Sequence, residues 1–232
     1  MTGITLIIPC YNAEKHLTET LESVVESTLL PDQIICVDDA STDSTVEILA
    51  SSRLTPHIIK NQKNQGPSYC RNVGLTNTSG SYITFLDADD LLPPAKLKWQ
   101  KEFLDQRPEI DIVVGQTICF PDPKRGDKRS SAHFNAYLGS MMFRKSLLDK
   151  VGFFDESLRF SEDQDWFLRV RERKVGVKYV EKLALNKRLH DDNMTKDLSF
   201  KETGLISALK KSIDRRRKSN DAQDLDPFGS NF

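Results

Sequence analysis

The strongest constraint on the fold is an alternation. Short apolar runs of strand character recur along the N-terminal part of the chain, each followed by polar residues and then by a stretch of helical periodicity. "ITLIIP" (4–9) reads as a buried strand, and Leu17, Leu21, Val24 and Val25 mark the apolar face of a helix that ends before Pro31. "QIICVDD" (33–39) is a second strand; Ser41, Thr42 and Asp43 supply capping chemistry for a helix through "STVEILA". A short strand, "HIIK", precedes the polar loop "NQKNQGPS", and a helix fits 68–77. After Gly80 comes the strand that opens "SYITFLDADDLL"; Pro93 and Pro94 then suit the start of a helix carrying Leu97, Trp99, Phe103 and Leu104. This order predicts an α/β fold with a mostly parallel sheet and helices on both faces.

From 111 onward the pattern is less regular. "IDIVVGQTICF" is strand-like, 121–131 reads as a mobile loop rich in proline and charge, and "AYLGSMMF" resumes a strand. A short helix fits 144–150, a helix with Trp166, Phe167 and Val170 on one face fits 162–174, and two strand-like runs follow at 177–181 and 183–189. Residues 219–232 offer almost no core material and read as a disordered tail.

With 232 residues, 38% hydrophobic and 29% charged, the chain can bury a sizeable core, and a formal charge of −1 gives no global reason to expect a nucleic-acid partner. Cys10, Cys36, Cys70 and Cys119 are too scattered for a zinc site or a disulfide framework, so reduced thiols in a cytoplasmic protein are expected. The N-terminus enters a strand at once, without signal-peptide character, and no apolar run approaches the roughly 20 residues that span a bilayer.

In an open α/β sheet, ligands bind beyond the carboxyl ends of the strands. There the chain places "PCYNAE", "DDASTD" and "DADD". Asp87, Asp89 and Asp90 repel one another unless water, a helix N-terminus or a cation relieves them. A hard divalent cation held by one or two carboxylates and by substrate phosphates would do so. Capping of the next helix is the plainer reading, although one aspartate suffices for that. For Asp38 and Asp39 a turn or capping role is the corresponding alternative.

Taken together, "LIIPCYNAE", "ICVDDASTD", "NQGPSYCRNVG", "YITFLDADD", "FRKSLLDKVGFFDESL" and "SEDQDWFLR" resemble, in order and spacing, the inverting glycosyltransferases of family 2 with the GT-A fold. The resemblance covers roughly 4–195; one departure is Ala40, where that family often has glycine. It implies a Rossmann-like, mostly parallel mixed sheet, with a nucleotide-sugar-binding half (4–110) and an acceptor-binding half (111–195). It further implies that Pro9, Tyr11 and Glu14 line the nucleotide pocket, Asp39 hydrogen-bonds the nucleobase (uracil foremost), and Arg71 contacts nucleobase or phosphate. Asp87 would approach the ribose, and Asp89 would hold manganese or magnesium against the diphosphate. An inverting transfer needs a base for the acceptor hydroxyl; the resemblance makes Asp163 that base and gives Glu162 contacts to acceptor or donor hydroxyls. Locally, Ser161 capping a helix whose dipole Glu162 and Asp163 complement is an equal reading. His190 is a weak metal candidate, and Arg188 a phosphate contact in its place.

The segment 199–218 predicts a basic amphipathic helix with Leu205, Leu209 and Ile213 on one face; it either docks on the domain or makes a peripheral contact with the inner face of the membrane. The resulting expectation is a metal-dependent transfer of one sugar from a UDP-sugar to a carbohydrate or lipid-linked glycan hydroxyl. The alternatives are a noncatalytic nucleotide-sugar-binding module and a receiver-like phosphoacceptor domain, the latter disfavoured because its acids would follow earlier strands.

Overall fold

The computed structural model describes residues 3–121, 129–135, 137–158, 160–190 and 204–218. Residues 122–128 of the loop expected at 121–131 fall outside these, as do the tail at 219–232 and the stretch 191–203 before the last helix.

The N-terminal alternation folds as expected: β1 (Ile4–Cys10), α1 (Leu17–Val25), β2 (Gln33–Asp38), α2 (Thr45–Ser51), β3 (His57–Lys60), α3 (Pro67–Thr76), β4 (Tyr82–Phe85) and α4 (Lys96–Asp105). Then follow β5 (Ile112–Pro121), β6 (Met141–Arg144), α5 (Leu147–Val151), α6 (Glu162–Glu172), β7 (Val177–Leu189) and α7 (Leu205–Lys218). All seven strands form one sheet in the order β3-β2-β1-β4-β6-β5-β7, in which β6 runs antiparallel to both neighbours and the other pairings are parallel.

Successive strand side chains point to opposite faces, which sorts the apolar residues into two cores. Ile4, Leu6 and Ile8 pack with Leu17, Leu21, Leu49, Leu97 and Leu104, so α1, α2 and α4 cover one face. Ile7, Ile83 and Phe85 pack with Leu75, Leu147, Trp166 and Val170, so α3, α5 and α6 cover the other. Gly74 lets α3 lie close on the sheet, because a Cβ there would stand 2.4 Å from the Ile7 side chain.

Two expectations at the C-terminal side are corrected. "AYLGSMMF" is not one strand: Leu138–Ser140 is a turn of 3₁₀ helix, closed by the Ser140 hydroxyl donating to the Tyr137 carbonyl at 2.8 Å, and the strand starts at Met141. The two runs at 177–181 and 183–189 are one strand, β7, which stays paired to β5 by absorbing two register shifts between Val114 and Thr117.

The chain goes outward from β1 to β2 and β3, then returns to β4 on the other side of β1. The crevice at the carboxyl ends of β1 and β4 is therefore the topological switch point. β7 enters the same region, since Leu91, just past the Asp87–Asp90 turn, bridges Asn186.

Candidate active site

The loops after β1 and β2 are laced together. The Asn12 and Glu14 backbone N–H groups donate to Ser41 Oγ (2.9 Å) and Asp43 Oδ2 (3.0 Å), while Asn12 Oδ1 and Glu14 Oε2 accept from the backbone of Thr42 and Ser44. Asn12 and Ala40 hold left-handed backbone, at φ 45° and 62°, a conformation that is uncommon outside glycine. Pro9 is half-buried at the end of β1, Glu14 is exposed, and Tyr11, just past β1, is 52% exposed. Asp43 supplies the expected cap chemistry at the start of α2 by accepting from the Thr45 N–H at 3.0 Å.

Asp39 is buried and its carboxylate accepts from Asn61 Nδ2 (2.7 Å) and the backbone N–H groups of Gln65 (3.0 Å) and Gly66 (2.7 Å). It thus fastens the loop that launches α3, where Gly66 adopts φ 88°. Asp38 accepts from the Ser41 N–H at 3.3 Å and keeps a buried Oδ1 without a hydrogen-bond partner.

The acids after β4 are held from three sides. Asp90 N–H closes a turn on the Asp87 carbonyl at 3.1 Å, Thr20 of α1 donates to the Ala88 carbonyl at 2.9 Å, and Arg188 Nε donates to the Asp89 carbonyl at 2.9 Å. None of the three aspartates caps α4, which begins at Lys96 after Ala95. One carboxylate oxygen from each of Asp87, Asp89 and Asp90 lies within 4.8 Å of the others.

Their roles divide by partner. Asp90 is 1% exposed, accepts from the Arg188 N–H at 2.8 Å, and has Lys187 Nζ at 3.6 Å. Burial pushes its pKa up to about 8, with Asp89 and Asp87 adding to the rise and Lys187 opposing it. Asp89 is more open and has His190 Nε2 at 2.7 Å from its Oδ2. Burial works against its ionisation, yet the His190 hydrogen bond and the Lys187 charge hold its pKa below the ordinary carboxylate value. Asp87 has a side chain 41% exposed. The His190 ring packs on that of His16 at 5.0 Å between centroids. This oxygen-rich set fits a hard divalent cation: Asp87 and Asp89 are the more exposed of the three, while Asp90 is already held by β7.

Arg71 joins this cluster to the start of α6. Burial opposes its charge, but Asp87 and Glu162 outweigh that and hold the guanidinium firmly protonated. Its Nη2 donates to Asp87 Oδ1 at 3.0 Å and its Nη1 to Glu162 Oε1 in a short contact. Glu162 and Asp163 open α6. Ser161 precedes them at φ 60° and makes no side-chain cap, so the capping expectation fails there. The Asp163 carboxyl is raised to about 6, by burial first and by Glu162 next, against the pull of Arg71.

Of the residues singled out from the sequence, Arg71, Asp87, Asp89, Glu162 and His190 are thus joined by direct contacts, with Asp163 next to Glu162 in the chain, while Asp39 faces the loop before α3 and Glu14 is tied to the start of α2. Arg188 is not a free phosphate contact: its guanidinium is 4% exposed, binds Glu19 at 2.5 Å and lies 4.8 Å over the Phe120 ring. Lys187 was missed. Burial disfavours its charge, but Asp90, Asp87 and Asp89 raise its pKa. Sequence gives it little signal, because β7 also carries Lys178, Glu181, Lys182 and Arg188.

The fold agrees with what known proteins show. Residues 5–162 match the family described as Glycosyl transferase family 2, and the chain belongs to that family. The minor teichoic acid biosynthesis protein GgaA of Bacillus subtilis (strain 168) is 30% identical over 216 residues, which cover 82% of this chain and 48% of that protein. Glycosyltransferase GlyA of Streptococcus pneumoniae serotype 4 is 30% identical over 168 residues, 71% of this chain and 23% of that one. The chain thus spans about half or less of the length of these relatives. Among solved structures, S. aureus TarS 1-349 in complex with UDP-GlcNAc superposes with a TM-score of 0.75 at 22% identity, covering 90% of this chain and 65% of that one, which establishes the GT-A fold. Among the described residues no helix is long and apolar enough to cross a membrane.

Proposed function

We propose that the chain is a metal-dependent inverting glycosyltransferase that moves one sugar from a UDP-sugar to a hydroxyl of a carbohydrate or lipid-linked glycan. The observation that carries this reading is the Arg71 bridge, which brings Asp87 of the acidic cluster and Glu162 of the α6 start to one guanidinium. A donor diphosphate and an acceptor hydroxyl would meet there.

In this reading Pro9, Tyr11 and Glu14 border the uridine, Arg71 orients its phosphate side, and Asp87 faces the ribose. Asp39 acts on the nucleobase through the loop it fastens, or directly once that loop yields a hydrogen bond. Asp89, with His190 beside it, would hold manganese or magnesium, which supplies positive charge to the departing diphosphate. Asp163 takes the proton from the acceptor hydroxyl as the sugar carbon gains oxocarbenium character, and its raised pKa suits a base working near neutrality. Glu162, fixed by Arg71, contacts sugar hydroxyls. The teichoic-acid role in the name of GgaA favours an acceptor in glycoconjugate synthesis.

UDP release from UDP-GlcNAc and from other UDP-sugars, with manganese present and a panel of glycan and polyol-phosphate acceptors, tests the proposal, and the product anomer reports inversion. Release that requires both manganese and Asp163 supports it. No release from any UDP-sugar, alongside nucleotide binding, would leave a binding module instead.

A further inference from the structure

α7 turns toward solvent the residues an amphipathic helix ordinarily buries. The helix packs on α6, and its buried residues are Ala208 and Ser212, at 0% and 1% exposure, not Leu209 and Ile213. Polar clamps fix that side: Arg215 binds Asp165 at 2.8 Å and Glu172 at 2.8 Å, and Lys211 binds Asp155 at 2.5 Å and Ser157 at 2.7 Å. Ile206, Leu209 and Ile213 are left 49%, 42% and 41% exposed. At spacings of three, four and seven they form one stripe. Lys210 and Arg217, both exposed, lie along one edge of it, with Asp214, the only acid of the helix, next beyond Lys210.

We infer that this stripe is a docking surface for an anionic lipid bilayer. α7 lies in the interface with Ile206, Leu209 and Ile213 inserted and Lys210 and Arg217 at the headgroups. Charge complementarity selects the occupant, because an apolar stripe edged by cations on the open side matches a surface that is apolar below and anionic at its rim. A second copy fits poorly. Three side chains fall well short of the roughly 800 Å² per partner of a stable interface, and a two-fold pairing would oppose the cations of one copy to those of the other. The clamps join α7 to α6, whose first turn carries Glu162 and Asp163, so the docked face belongs to the acceptor side. That last point rests on the proposed function; the lipid contact does not.

The test is co-sedimentation of the full chain with phosphatidylcholine vesicles and with vesicles containing phosphatidylglycerol, in the absence of donor or acceptor. Binding to the anionic vesicles is expected, with little to the neutral ones. Changing Lys210→Gln and Arg217→Gln together should weaken binding about thirtyfold. Changing Ile206→Ser, Leu209→Ser and Ile213→Ser together should abolish it while the variant still unfolds cooperatively, at a melting temperature only a few degrees lower, since each side chain is about half exposed. Absence of binding to anionic vesicles, or binding that survives both sets of changes, would overturn the inference. So would a wild-type dimer that the serine variant dissolves, which would assign the stripe to a second copy.

Discussion

Arg71 Nη2 stands 3.0 Å from Asp87 Oδ1 while its Nη1 holds Glu162, so one buried guanidinium connects the end of β4 to the start of α6. The two acids are 75 residues apart and belong to the two sides of the crevice. Removing the cation leaves Glu162 buried without its partner, a large effect, whereas Asp87 is open enough for water to screen it. Arg71→Met is expected to lower stability by about 3 kcal/mol and to abolish turnover. Arg71→Lys should recover part of the stability but little activity, since an ammonium cannot serve both carboxylates in a fixed fork. Urea denaturation and UDP release measure the two effects.

The raised pKa of Asp163, about 6, gives a pH dependence of definite sign. A base must be ionised to act, so kcat/KM should rise as pH passes through about 6 and level off above it. Stability runs the other way. A group whose folded pKa lies above its unfolded value favours the folded state below the unfolded pKa and loses that contribution as pH rises through the folded one. Asp163→Asn should therefore be inactive, melt higher than wild type at pH near 8, and show no such advantage at pH near 4. An equal difference at both pH values would point to packing and not to ionisation.

Lys96 is fully buried, and its Nζ donates to Thr84 Oγ1 at 2.6 Å. Burial depresses its pKa to about 7. The folded state is thus penalised increasingly as pH falls from the ordinary lysine value toward 7, and fully below it. Lys96→Met should stabilise the protein by about 2 kcal/mol near pH 6, with the gain shrinking as pH rises toward 10. The Thr84 hydroxyl keeps its own bond to the Met141 carbonyl at 2.7 Å.

Ala40 holds φ 62° directly after Asp39. Left-handed backbone costs an alanine about 1–2 kcal/mol, part of which a glycine returns as unfolded-state entropy. Ala40→Gly should raise the melting temperature by a few degrees, whereas Ala40→Val should lower it; calorimetry decides.

The parallel half of the fold was legible because it is written in local pattern. Apolar runs at Ile4–Cys10, Gln33–Asp38 and Tyr82–Phe85 end in polar residues at the same end of the sheet, so gathering of Asp39, Asp87 and Asp89 at that end follows from topology, although Asp39 turns to the loop before α3 and not to the crevice. What pattern could not show was nonlocal. The short strand β6 enters antiparallel between β4 and β5, and β7 stays paired only through register shifts beside Gly115, where an added Cβ would meet Ala184 at 2.5 Å. The partners of Asp90 and Asp89, Lys187 and His190, lie about a hundred residues downstream, and nothing near either acid announces them. α7 was legible as a helix but not in orientation, because salt bridges to α6, and not the apolar stripe, decide which side faces inward.

The central claim is that Asp89 and its neighbours bind a nucleotide through a divalent cation, and thermal unfolding with UDP tests it most directly. A ligand that binds only the folded state stabilises it by about 2.7 kcal/mol at a hundred times its Kd. The account predicts a clear rise in Tm with UDP and manganese together, little with either alone, and none in Asp89→Ala. A rise of equal size without manganese, or one that persists in Asp89→Ala, would contradict it.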